Sequence, residues 1–339
     1  MGDISMRRST RVAVSIWLAL LMGPLYPQNA AWKDPSPLHT RLIGVDRNVR
    51  LEVLDWGGSG RPIVLLAGGG DTAHVFDDFA AKLTANFHVY GITRRGFGAS
   101  DYAATDDASD RLGDDVVAVI DALKLKRPIL VGHSIAGAEM SSIANRHPDR
   151  VAALIYLDAA YSYAFDNGKG TALGEIQKLH GPQPPPPSGP DLASFTALQK
   201  HFERVYGFRF PEAELREEFE STPEGGVGKE RDHPGTPLFM AMLTSSRKFT
   251  AIPVPALIFF ANPHGQGTWV DNNKDPSVKS AEKAYSDALS ALVAKQETAV
   301  RNAVPKAKVI TLPGAHHYVY LSNEADVLRE MRAFISRLH

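Results

Sequence analysis

Six short apolar runs recur along this chain, and helical stretches separate most of them. They are "PIVLLA" (62–67), "FHVYGI" (87–92), "PILVG" (128–132), "AALIYLD" (152–158), "PALIFFA" (255–261) and "AKVITL" (307–312). None alternates cleanly between apolar and polar residues, so each is expected to be a strand covered on both faces. Between them, "RLGDDVVAVIDALKL" sets Leu112, Val116, Val119 and Leu123 on one helical face. The last segment repeats the spacing with Val327, Leu328, Met331, Phe334, Ile335 and Leu338, and Ser322 or Asn323 can cap its start. Strand alternating with helix predicts an α/β fold, a mostly parallel central sheet with helices on both faces. Ahead of it, "TRLIGV" and "VRLEVLDW" read as a leading antiparallel hairpin.

The rhythm breaks after the sixth strand. From Ala159 to Ile252 the pattern is helical ("ASFTALQKHFERVY", "PEAELREEFE", "TPLFMAMLTSS") with no clear strand, and "GPQPPPPSGP" is a stiff, extended connector. The expected division is a core of residues 37–158 and 253–339 with a helical cap inserted at 159–252. A second long connection, 262–305, ends in the strongly helical "SAEKAYSDALSALVAKQETAVRNAV".

The bulk numbers remove several function classes. The formal net charge of -1 gives no basic field for nucleic acid. The chain has no cysteine, which excludes disulfides, thiolate metal sites and a Cys nucleophile. Residues 1–31 differ from the rest: Arg7, Arg8 and Arg11 precede the apolar "VAVSIWLALLMG", then "PLYPQNAA". This reads as a secretory signal peptide cut near Ala30 or Ala31, against the alternative of an uncleaved anchor. Its loss would remove three positive charges and Asp3, taking the formal charge from -1 to -3. The expectation is a periplasmic or secreted protein with no stable membrane association after cleavage.

"VGHSIAG" places Ser134 where a strand turns into a helix. Gly132 and Ala136 bracket it, small residues of the kind that a strained strand-to-helix turn tolerates. Such a turn lifts the hydroxyl above the C-terminal edge of the sheet, where open α/β sheets bind ligands. The alternative is a helix-capping serine with no chemistry. A nucleophilic serine needs a base, and "VITLPGAHHYVYLSNEADV" offers His316 or His317 on the loop after the last strand.

"LLAGGGDTAHVFDDFA", "ITRRGFGAS", "VGHSIAG", "NRHPDRVAALIYLDAA" and "LPGAHHYVYLSNEADV" together resemble the α/β-hydrolase superfamily, in its cap-bearing esterase-like branch. The resemblance covers residues from about Pro37 to Leu338, in the family's order. It implies Ser134 as nucleophile and His317 as base, with His316 in a place usually held by a small or polar residue. It implies the backbone N–H groups of Ile135 and Gly69 as the oxyanion hole. The family's acid most often follows the strand matching "PALIFFA", but this chain reads Asn262-Pro263-His264 there. A variant position at the end of the preceding strand falls on Asp158, which is favoured over Asp166, Asp271 and Asp275. Gly68, His133, Tyr161 and His264 are candidate pocket residues. The cap offers Tyr161, Tyr163, Phe165, Phe239, Met240 and Met242 as further candidate wall.

No cofactor and no metal are implied, since the sequence clusters no ligand set. The expected partner is a small-molecule ester, split through an acyl-enzyme on Ser134. A serine at the corner separates the chain from haloalkane dehalogenases and epoxide hydrolases of this fold, which use Asp there. Carbon–carbon bond hydrolysis, iminopeptidase activity and a non-catalytic ligand-binding role remain as alternatives. "GGGDTA" with Arg94 and Arg95 also fits a dinucleotide-binding loop, a reading that leaves Ser134 and His317 without roles.

Overall fold

The computed structural model describes residues 32–105 and 108–338. The expected export segment, 1–31, lies outside the described residues. Among those described, no helix is long and apolar enough to cross a membrane.

The strands are β1 (His39–Asp46), β2 (Val49–Gly57), β3 (Pro62–Leu66), β4 (His88–Ile92), β5 (Ile129–His133), β6 (Ala153–Leu157), β7 (Phe219–Ser221), β8 (Val227–Glu230), β9 (Ala256–Ala261) and β10 (Lys308–Leu312). Eight of them form one sheet in the order β1-β2-β4-β3-β5-β6-β9-β10. The leading hairpin β1–β2 is antiparallel, β2 also runs antiparallel to β4, and every later pair is parallel. Every residue of β5, β6 and β9 is buried, which is why those runs show no polar alternation.

Helices cover both faces. Val119, Met140, Val293 and Val300, from helices Ala108–Ala122, Ala136–Arg146 and Pro276–Ala303, share one apolar cluster. Phe76, Phe79, Val327 and Met331 pack the opposite face.

The insertion between β6 and β9 differs from its expected form in one respect. It contains the antiparallel hairpin β7–β8, built from "FES" and "VGKE". Phe219 and Val227 of that hairpin close a small core of the cap's own with Phe195, Leu198 and Leu215. Two elements tie the cap to the sheet's edge. Glu214 accepts from Thr72 N (2.9 Å) and Thr72 Oγ1 (2.5 Å). The helix Thr236–Thr244 buries Leu238 and Met242 against Ile135 and Ala138, worth about 2 kcal/mol per side chain.

Candidate active site

β5 and β6 are parallel neighbours in the register His133↔Leu157. The next residues of the two strands are Ser134 and Asp158, and both leave the sheet with positive φ, 51° and 49°. A left-handed conformation costs a non-glycine residue roughly 1–2 kcal/mol. The ladder holds both turns in place: Ser134 N donates to Leu157 O (3.3 Å) and Asp158 N to Phe259 O (3.1 Å). Small residues make the serine corner fit. A Cβ on Gly132 would lie 3.1 Å from Ala136 Cβ and 2.8 Å from Met140 Cε. A Cβ on Gly137 would lie 2.0 Å from Ala159 O, so the glycine one step past the expected motif is the one that lets the helix approach the acid's segment.

His317 Nδ1 lies 2.6 Å from Asp158 Oδ2. Asp158 is fully buried yet saturated with donors. Its Oδ1 accepts from Tyr161 OH (2.8 Å) and Ala261 N (3.1 Å), and its Oδ2 also meets His264 Nε2 at 3.0 Å. Burial pushes the carboxyl up, but the His264 and His317 imidazoles outweigh it and hold the group well below the usual carboxylate range. Asp158 is therefore an ionised carboxylate paired with His317. The alternatives are engaged elsewhere: Asp275 caps the helix Pro276–Ala303 through Ser277 N, Asp166 pairs with Lys248, and Asp271 is exposed. His316 is pushed down to about 3, first by burial and then by the imidazoles of His317, His264 and His133, so it stays neutral and is a poor base.

Ser134, Tyr161, Tyr163, Phe239, His264 and His317 line one cavity of about 370 Å³. Leu173, Ile176, Leu243, Tyr285 and Leu289 supply most of its apolar wall, and Gln177 and Gln266 add neutral polar groups. No Asp, Glu, Lys or Arg is among the lining residues described. Tyr163 lines the cavity beside Ser134, as expected of a wall residue, and burial pushes its hydroxyl well above the usual phenol range.

Three groups of expected wall residues stand elsewhere. Gly68 and His133 lie beneath the cavity: His133 is buried, its Nε2 sits 3.2 Å from His317 O, and a Cβ on Gly68 would strike His133 Nδ1 at 2.7 Å. They shape the floor of the histidine loop. Phe165 and Met242 are core residues, and Met240 is exposed.

The oxyanion candidates are Ile135, the cap residue of the helix Ala136–Arg146, and Gly69. The N–H groups of a helix's first turn have no intrahelical acceptor. Arg94, buried, donates to Ala67 O (2.9 Å) and Gly68 O (3.0 Å) and is itself held by Glu139. Because a trans peptide is planar, fixing the Gly68 carbonyl toward Arg94 turns the Gly69 N–H to the opposite side. Arg95 is likewise spent on Asp115, with two contacts of 2.6 Å. Neither arginine is free for a nucleotide phosphate, which removes the dinucleotide reading of "GGGDTA".

Among the described residues, two trios bring potential ligand atoms within 4.8 Å of one another: Asp158, His264 and His317, and Asp34, His74 and Asp77. The chain spacing of these residues gives no sign of either cluster. In the first trio Asp158 already pairs with both imidazoles, and in the second His74 Nδ1 is hydrogen-bonded to Asp77 (3.1 Å) with Asp34 Oδ2 3.5 Å away and lacking a hydrogen-bond partner.

The model of the alpha/beta hydrolase family matches residues 63–330, which contain the whole site. The chain belongs to that family. Curated relatives include a putative non-heme haloperoxidase of Mycobacterium phage D29, 33% identical over 104 residues (30% of this chain, 37% of that protein). Epoxide hydrolase A of Mycobacterium tuberculosis is 35% identical over 118 residues (33% and 37%). The matched stretches thus span well under half of either relative. Among solved structures, E-2-(acetamidomethylene)succinate hydrolase superposes with a TM-score of 0.60 at 19% identity, covering 88% of this chain and 99% of that one. At that identity the likeness is one of fold.

Proposed function

We propose that this chain is a serine hydrolase that cleaves a carboxylic ester, or a related acyl bond, of a small to medium, uncharged and partly apolar substrate. The observation that carries the reading is the 2.6 Å pairing of His317 Nδ1 with the buried, ionised Asp158, at a cavity that His317 and Ser134 both line. With Nδ1–H donated to Asp158, His317 presents the Nε2 lone pair as base. Nε2 takes the Ser134 proton as Oγ bonds the acyl carbon, and the carbonyl electrons move onto oxygen. The Gly69 and Ile135 N–H groups stabilise that oxyanion. Collapse breaks the bond to the leaving alcohol, which receives the proton from His317. Water then repeats the sequence and releases the acid.

The neutral lining of the cavity supports an uncharged substrate, since a buried charge without a partner is costly. The same feature disfavours an iminopeptidase, whose substrate brings a free amine that no lining carboxylate described here would meet. The relative named an epoxide hydrolase does not bring epoxides to this chain, because the corner residue is Ser134. Export belongs to the same proposal and rests on the basic, apolar segment 1–31, with cell fractionation as its test. Rapid mixing with an activated aryl ester tests the chemistry. A burst of aryl alcohol equal to the enzyme concentration is expected from the wild type and none from Ser134→Ala; a burst of equal size from both would refute the acyl-enzyme.

A further inference from the structure

The strand end that lacks the expected acid carries His264, and this imidazole reaches back to the acid placed one strand away. Its Nε2 lies 3.0 Å from Asp158 Oδ2, the oxygen that His317 Nδ1 meets at 2.6 Å. The other oxygen is taken by Tyr161 OH and Ala261 N. A carboxylate has about four lone-pair sites; Tyr161 OH, Ala261 N and His317 Nδ1 hydrogen-bond to three, and His264 Nε2, which also lies 3.3 Å from Tyr161 OH, stands within reach of the fourth. The backbone locks the two imidazoles together. Gly265 N donates to Ala315 O (2.8 Å) and Gly314 N to Pro263 O (2.9 Å), and a Cβ on Gly265 would lie 2.3 Å from Gly314 O. The turn carrying His264 and the loop carrying His317 therefore move as one, with ring centroids 6.1 Å apart.

We propose that His264 is a positioning residue, a second imidazole that orients Asp158 toward His317 and shares the negative charge His317 draws on. The proposal rests on the serine-hydrolase reading of Ser134 and deepens it. When His317 accepts the serine proton it becomes an imidazolium, and Asp158 stabilises it. A second N–H on the same oxygen fixes the plane of the carboxylate and takes part of its charge. Orientation raises turnover, and sharing lowers the affinity of His317 for a proton. The other titratable groups facing the pair are Tyr161, Tyr163, His316, His133 and Tyr318, and none of these is a carboxylate or a lysine.

The test compares His264→Ala with His264→Gln, whose amide can place an N–H near the same point. With a neutral ester, His264→Ala is expected to lower kcat by roughly tenfold to a hundredfold with little change in KM. The acid limb of its kcat/KM profile should move upward, because His317 no longer shares Asp158. His264→Gln should restore most of kcat and return the limb to its wild-type position. An unmoved limb in His264→Ala, or a loss that Gln does not rescue, reduces His264 to cavity wall and overturns the proposal. NMR titration of the His317 ring in Ser134→Ala reads the same coupling without turnover. Adding His264→Ala there should raise the titration midpoint, and an unchanged midpoint refutes the coupling whatever the fate of the serine-hydrolase reading.

Discussion

Replacing Asp158 by Asn changes one oxygen to an amide nitrogen, and the surrounding donors decide which. Ala261 N is a backbone donor that cannot turn away, and Tyr161 OH shares its oxygen, so the remaining Asn oxygen stays on that side. The new NH₂ then faces His317 Nδ1 and His264 Nε2. His317 can meet it only by offering the Nδ1 lone pair, which moves its proton to Nε2. The base then points an N–H, not a lone pair, at Ser134, and the negative charge that stabilised the imidazolium is gone. Loss of both effects in a serine triad lowers kcat by about 10⁴-fold, roughly 5 kcal/mol of barrier. KM should change little, because Asp158 is buried behind the cavity wall. The assay is kcat for a chromogenic short-chain ester, with circular dichroism and Tm to show that the variant is folded. A folded Asp158→Asn enzyme within tenfold of wild type would refute the assignment, as would a larger loss in Asp271→Asn or Asp275→Asn.

Gly137→Ala should cost about 1–3 kcal/mol and lower both Tm and kcat, since its Cβ would lie 2.0 Å from Ala159 O; thermal melting at unchanged Tm would contradict this. An alkanoate ester should be cleaved at least about tenfold faster, in kcat/KM, than the succinate half-ester of the same alcohol, because no lining cation meets the second carboxylate; equal rates would show a cationic subsite. Glu218 is pushed up to about 8, by burial first and then by the charges of Asp71 and Glu230. A raised carboxyl favours the neutral form, so its contribution is intact below the ordinary value of 4.5 and lost as pH rises toward 8. Glu218→Gln should therefore raise Tm at pH values above about 8 and leave it unchanged near 4.5; the opposite order would refute the sign.

The sheet was legible because its central strands are buried on both faces, and an uninterrupted apolar run such as "PALIFFA" has few other uses in a chain of this rhythm. The corner at Ser134 was legible for a steric reason: Gly132, Ala136 and Gly137 are as small as Met140 and Ala159 O require. Other features depended on contacts that sequence distance hides. Asp158 stood among several candidate acids until the register His133↔Leu157 set it beside Ser134. Arg94 and Arg95 fitted a dinucleotide-binding loop in sequence because Glu139 and Asp115, far along the chain, give no local sign of pairing with them. The hairpin β7–β8 escaped notice because its strands are short and mostly polar, with Phe219 and Val227 alone turned to the cap's core. Gly68 and His133 flank the motif residues in sequence but pack under the histidine loop, since alternate residues near a strand end face opposite ways.

The central claim is that Ser134 is a nucleophile activated through His317 and Asp158. It is tested most directly by treating the folded enzyme with a fluorophosphonate, digesting it and weighing the peptides. A single adduct on the peptide carrying Gly132-His133-Ser134-Ile135 is expected, absent from Ser134→Ala and slowed by orders of magnitude in His317→Ala. An unlabelled Ser134 in an enzyme that still turns over esters, or an adduct on another serine, would contradict it.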